Sequence, residues 1–277
     1  MSTTAAPVHP HATRAPSPVH PTFGGILRGD LIKLLSLRST WWMLASTVVL
    51  ITLISLAVAW SLEEIAADPM TAPELATTNG AEFVAGGFQM GMVTIAALGA
   101  LLITGEYSTG MIRSTLAAIP TRTPMLAAKA IVLAGLTLAV SAVSIALSYL
   151  VTMPLLARYD MVPPLDDMDT WLTFGGTVYF LIATGLFALG VGALLRSTAG
   201  AITVALLVLL VLPGVLSFIT LDWVETIAGY LPLPASAAFI GGDQTADMAA
   251  GTGILVIAAY ALVPLIAGGV LLRKRDA

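Results

Sequence analysis

The sequence predicts an all-α membrane protein that crosses the lipid bilayer six times and has both ends in the cytoplasm. Its 277 residues are 57% hydrophobic and 10% charged, with a mean hydropathy of +0.94, whereas a soluble domain carries about 25% charged residues. The apolar residues are concentrated in six long runs. The ionisable residues lie between these runs and are sorted by sign, so the chain is expected to work in or across a membrane.

Each apolar run contains at least twenty residues and has no charge in its middle. A helix of about 20 residues crosses a hydrocarbon core of about 30 Å. Charged or proline-rich breaks place the spans at 41–62, 83–104, 130–153, 171–195, 198–220 and 251–272. The weakest break is the turn between the fourth and fifth spans, which only Arg196 and Ser197 mark.

Six crossings place eleven of the twelve Lys and Arg residues on one side. These eleven are Arg14, Arg28, Lys33, Arg38, Arg113, Arg122, Lys129, Arg196, Arg273, Lys274 and Arg275, and Arg158 is the exception. Thirteen of the sixteen Asp and Glu residues fall on the opposite side. Because Lys and Arg next to membrane spans remain in the cytoplasm, this pattern predicts that both termini are cytoplasmic.

Two segments precede the first span. Residues 1–21 lack an apolar run, so we expect a disordered cytoplasmic tail and no signal peptide. Residues 22–40 are predicted to form an amphipathic helix on the inner membrane surface, followed by the six-span domain 41–277. The apolar residues of this helix recur at helical spacing: Phe23, Leu27, Leu31, Leu34 and Leu37. Asp30 interrupts that apolar side.

The sequence lacks the motifs of several enzyme classes. No Gly-Lys pair exists, which excludes a P-loop for ATP, and no His-Glu pair exists, which excludes the H-E-x-x-H metal motif. Cysteine is absent, and the three histidines all lie in the 1–21 tail. We therefore expect no catalytic residues, metal site or cofactor on this chain. Without a broad basic patch, nucleic acid is not an expected partner.

Weakly polar residues inside the spans allow two interpretations. Thr137, Ser141, Ser144 and Ser148 share one face of the third predicted span, and Gln89 lies between Gly87 and Gly91 in the second. Small and hydroxyl side chains of this kind pack helices closely. The same residues would also serve as a pathway wall for an amphiphilic substrate. The two interpretations remain open at the level of sequence.

The loop between the second and third spans, residues 105–129, contains a predicted short cytoplasmic helix. Ser108 or Thr109 can cap it, Ile112 and Leu116 then share one face, and Pro120 ends it. Thr123 and Pro124 mark the start of the next helix. An apolar face at this place requires a partner, either lipid or a cytosolic protein.

This loop resembles the intracellular loop of type-2 ABC exporter permeases. The residues that carry the resemblance are Glu106, Gly110, Ile112, Arg113, Leu116, Pro120, Arg122 and Lys129. The topology resembles that family as well, including a proline-rich outer segment before the sixth span that often dips back into the membrane. Residues 223–240 match that outer segment in position.

The resemblance implies a function for the chain. It would be a permease subunit that pairs with a second copy or a homologous permease in a bacterial plasma membrane, on two separate ATPase subunits that bind ATP and Mg. The helix near 109–119 would couple the two parts, and Glu106 with Arg113 would form a polar network there. The weakly polar spans favour a lipophilic or amphiphilic cargo. An ion-coupled carrier and a membrane scaffold or sensor are the alternatives.

Overall fold

The structure is a computed structural model that describes residues 22–75, 78–111, 122–241 and 248–274, with the backbone alone at residues 72, 74 and 122. The described residues contain helices, turns and loops and no strand. Six helical runs are long and apolar enough to cross a membrane: Arg38–Ala67, Gly80–Ser108, Thr123–Tyr159, Met168–Leu195, Thr198–Leu216 and Ala250–Lys274. The prediction of an all-helical chain with six such runs is confirmed.

The described residues of the first half of the chain form seven helices. They are α1 (Phe23–Ser36), α2 (Arg38–Trp60), α3 (Leu62–Ala67), α4 (Ala72–Leu75), α5 (Gly80–Ala85), α6 (Phe88–Ser108) and α7 (Arg122–Leu156), followed by a 3-10 turn at Ala157–Tyr159. The predicted interfacial segment 22–40 is divided, because Leu37 has an extended backbone between α1 and α2. The predicted third span begins at residue 130, whereas α7 begins before Pro124.

Six more helices lie in the described residues of the second half. They are α8 (Met168–Leu195), α9 (Thr198–Leu206), α10 (Leu212–Leu216), α11 (Asp222–Gly229), α12 (Pro232–Ile240) and α13 (Ala250–Lys274). A π-helical turn, Leu207–Val211, joins α9 to α10. Pro213 follows this turn and has no N–H to donate, which accounts for the widened helix before it.

Helix α8 lies at the centre of the bundle. It is the most buried of the six long helices and packs against α6, α7, α9, α12 and α13. Two glycines allow this close packing. A Cβ added at Gly99 of α6 would lie 2.3 Å from the carbonyl oxygen of Gly185, and one added at Gly190 would lie 2.5 Å from the backbone nitrogen of Leu265 in α13. Small residues therefore set the helix spacing around α8.

The chain turns back into the bundle after α10. Helix α12 packs against α8, α13 and the π-helical turn, and its first residue, Pro232, lies beside Phe180 and Tyr260 at the middle of α8 and α13. Its far end, at Phe239, lies close to Gly176 and Gly253 near the beginnings of the same two helices. Within the bundle, α12 therefore runs from the middle toward one end.

The two ends of the bundle carry opposite charge. The Lys and Arg residues of the described segments, apart from Arg158, lie at the end formed by the beginnings of α2, α7 and α9 and by the ends of α6, α8 and α13. We call it the basic end. The opposite, acidic end carries Glu63, Glu64, Asp68, Glu82, Asp160, Asp166, Asp167, Asp169, Asp222 and Glu225. Two described carboxylates break this division, Asp30 and Glu106, and both are buried at the basic end.

Candidate functional site

A buried network of ion pairs at the basic end joins three helices that are distant in sequence. It consists of Asp30 and Lys33 from α1, Glu106 near the end of α6, and Lys129 near the beginning of α7. The four residues supply two positive and two negative charges. All the salt bridges found within the described part of the chain lie among these four residues.

Lys129 is the centre of the network. Its side chain has no exposed surface, and its Nζ donates to Asp30 Oδ1 at 2.9 Å and to Glu106 Oε1 at 2.7 Å. The same Glu106 oxygen accepts a hydrogen bond from Lys33 Nζ, and the Lys33 side chain is 33% exposed. Glu106 therefore lies between a buried and a partly hydrated lysine.

Helix α1 presents Asp30 because of its helical spacing. Ile26, Asp30 and Leu34, each four residues from the next, are its buried residues. Phe23, Leu31 and Leu37, which the sequence places on the apolar side, are exposed. Asp30 is therefore the middle of the face that contacts the bundle, and its interruption of the apolar pattern reflects its pairing with Lys129.

The electrostatics of the network depend on the pairing of Lys129 with both carboxylates. Removing a lysine or a carboxylate from water costs several kcal/mol, and only close, opposite charges offset that cost. Lys129, with two carboxylate partners, meets this condition. Asp30 Oδ2 and Glu106 Oε2 are also buried and have no hydrogen-bond partner within the described residues. Loss of Lys129 would leave two buried carboxylates, of which Glu106 alone keeps a lysine partner, the partly exposed Lys33.

The network also closes the loop that the sequence singled out. Glu106 lies at the start of the 105–129 segment and Lys129 at its end, so their pairing fixes both of its ends. Helix α6 stops at Gly110, whose φ of +71° suits a glycine just past a helix end. Ile112, Arg113, Leu116 and Pro120, the side chain of Arg122 and most of the predicted coupling helix lie outside the described residues, and so does the predicted tail 1–21.

Other contacts tie the same end of the bundle together. Arg196, in the turn between α8 and α9, lies over the ring of Tyr107, with its guanidinium carbon 5.3 Å from the ring centroid. Thr198 Oγ1 donates to Thr104 Oγ1 at 2.8 Å, and Arg273 donates to Thr123 Oγ1 at 3.0 Å. The loop ends are therefore connected to α8, α9 and α13 as well.

The weakly polar residues singled out in the spans lie in two kinds of environment. Thr137, Ser141, Ser144 and Ser148 are fully buried within this one chain, and Ser144 donates to the carbonyl of Val140. Gly87 and Gly91 pack against Ile51 of α2, where an added Cβ would come within 2.0 Å and 2.4 Å of its atoms. Gln89 is exposed on the other face of α6. In this conformation the face of α7 that carries the hydroxyl groups is packed against neighbouring helices.

Sequence reasoning missed the connection between α1 and Lys129. In the sequence, Asp30 stands out only as an interruption of the apolar side of the 22–40 helix. Lys129 stands out only as part of the loop motif. A usable signal was present, because Asp30 and Glu106 are two of the three carboxylates on the side where nearly all cations gather. Carboxylates kept among cations next to apolar runs indicate pairing.

Comparison with known proteins adds no family assignment. Neither a protein-family model nor a curated protein sequence matches the chain. Its function is therefore argued from the geometry and from the resemblance of the loop.

The network predicts that its two lysines are not equivalent. Substitution Lys129→Met should lower the free energy of unfolding by about 3–5 kcal/mol, because it leaves Asp30 and Glu106 buried beside a single lysine. Substitution Lys33→Met should cost about 1 kcal/mol or less, because Lys33 is partly hydrated and Glu106 keeps Lys129. The measurement is reversible unfolding of the purified chain in mixed micelles.

Lys274→Met, at an exposed position on α13, is the matched control and should leave stability unchanged. Equal losses for Lys33→Met and Lys129→Met would contradict the assigned roles.

Proposed function

We propose that this chain is the membrane-spanning subunit of an ATP-driven exporter of the type-2 ABC class. The observation that carries the proposal is the Glu106–Lys129 pair, because it holds together the two ends of the loop that resembles a coupling loop. The six long apolar helices and the absence of a P-loop from the sequence support the same division of labour, with ATP and Mg bound by a separate ATPase subunit.

The network gives this proposal a mechanical basis. A force on the 105–129 segment reaches α6 through Glu106 and α7 through Lys129. It also reaches α1, because Glu106 pairs with Lys33 and Lys129 pairs with Asp30. The three helices then move together as one unit. Closure of two ATPase subunits beneath a pair of permeases would rock these units and change access to a pathway between the permeases.

The charge division of the bundle supports an orientation. The basic end would face the cytoplasm, together with both termini, as the distribution of Lys and Arg favours. Helix α1 would lie along the inner surface, where its exposed Phe23, Ile32 and Leu37 contact lipid and the adjacent Trp41 and Trp42 anchor α2. The acidic end would face outward in a bacterial plasma membrane.

The orientation is testable because the chain contains no cysteine. Single-cysteine variants Ala67→Cys at the acidic end and Ser36→Cys at the basic end place thiols at exposed positions. A membrane-impermeant maleimide should label Ala67→Cys in intact cells and Ser36→Cys only after permeabilisation. The reverse pattern would invert the topology and remove the loop from the reach of a cytosolic ATPase.

The coupling role predicts a specific loss of function in the loop. The chain, co-purified with its ATPase and reconstituted in liposomes, should hydrolyse ATP and move an amphiphilic cargo. The double variant Ile112→Asp, Leu116→Asp should reduce transport per ATP by at least about tenfold, because it places charges on the apolar face that contacts the partner. Its melting temperature should match the parent's, since the change lies away from the buried network.

Lys274→Ala provides a control at the same end of the bundle and should transport normally. Normal coupling in the loop variant would exclude the coupling role. Transport by the chain alone, driven by an ion gradient, would favour the carrier alternative. A stable complex that changes no flux would favour the scaffold alternative.

A further inference from the structure

A groove at the acidic end of the bundle lies between α8 on one side and α12 and α13 on the other. Its volume is about 650 Å³, within the range of about 300–1,000 Å³ that small-molecule sites occupy. Apolar walls are formed by Leu172, Phe239, Met248 and Ile254. Leu172 and Ile254 are partly exposed, so the groove opens onto the outside of the bundle.

Among the described residues that line this groove, one is a carboxylate. Asp169 lines it, is exposed, and takes part in no salt bridge among the described residues. It lies in the first turn of α8. The neighbouring Asp166 and Asp167 add negative charge, and a field of one sign concentrates counter-ions of the opposite sign.

Two aromatic residues of α8 continue the groove inward from Asp169. Trp171 Nε1 donates to the carbonyl of Leu165, and Tyr179 Oη donates to the carbonyl of Ile254 at the groove wall. Both rings are therefore held in place. Aromatic faces near a carboxylate attract organic cations, because the ring face carries partial negative charge.

Glycine keeps the groove open. Gly175 lines it between Trp171 and Tyr179, and a Cβ added there would meet no atom within 4 Å. A second groove on the opposite flank of α8, against α7, shares these three residues, and none of the described residues that line it is charged. An acyl chain would fill either groove, whereas only the first offers a charge to a head group.

We infer that the groove between α8, α12 and α13 binds an amphiphilic cation. Its positively charged head group lies at Asp169, and its apolar body lies along Trp171, Tyr179 and Phe239. A neutral amphiphile of the same shape lacks the contact with the carboxylate and binds more weakly. This assignment concerns binding alone and does not depend on the transport proposal.

Calorimetry with two matched amphiphiles tests the inference. Two amphiphiles are titrated at pH 8 into the full chain in phosphatidylcholine nanodiscs: dodecyltrimethylammonium and dodecyldimethylamine N-oxide, which carries no net charge. The heat measured with empty nanodiscs is subtracted. The cation should bind saturably and about fivefold more tightly than the N-oxide. The variant Asp169→Asn should remove this preference, while Asp166→Asn, which changes an acid outside the groove lining, should retain it.

The variant Gly175→Leu places a side chain in the groove and should abolish saturable binding of both amphiphiles. Gly135→Leu, at an equally open position in α7, should leave binding unchanged. Equal affinities in the parent chain, an unchanged preference in Asp169→Asn, or heat explained by partition into the bilayer only would each overturn the inference. Even if Gly175→Leu fails to fold, the comparison of Asp169→Asn with Asp166→Asn decides the result.

Discussion

The burial of Lys129 is the constraint on which the basic end of this molecule depends. An ammonium group without exposed surface requires close opposite charges, and the chain brings them from two other helices. Asp30 lies 99 residues away along the sequence and Glu106 lies 23 away. The positions of α1, the end of α6 and the beginning of α7 are therefore fixed relative to one another by a single side chain.

This constraint links the architecture to the proposed function. Helix α1 precedes the first span, and besides the apolar contacts of Ile26 and Leu34 it has a connection to the spans that depends on charge. The ion pairs supply that connection at the basic end, beside the loop that we propose as the docking site of an ATPase. At the acidic end, by contrast, Asp169 remains without a salt-bridge partner among the described residues and is available to a ligand.

The long helices were predictable from sequence because length and uniform apolarity determine them locally. Even the weak break at Arg196 proved to be a helix boundary, where Ser197 caps α9. The orientation of α1 and the pairing of Lys129 were not predicted in this way, and the return of α12 into the bundle was expected only from the resemblance of residues 223–240. Each depends on contacts between distant segments, and spacing along one helix cannot identify a partner on another.

The direct test of the central claim is a double-mutant cycle between Asp30 and Lys129. The free energy of unfolding is measured for the parent, Asp30→Asn, Lys129→Met and the double variant, with Asp30→Asn combined with Lys274→Met as the reference pair. We expect a coupling energy of at least about 1 kcal/mol for Asp30 and Lys129 and none for the reference pair. Additive losses for Asp30 and Lys129 would show that no buried ion pair holds α1 to the bundle.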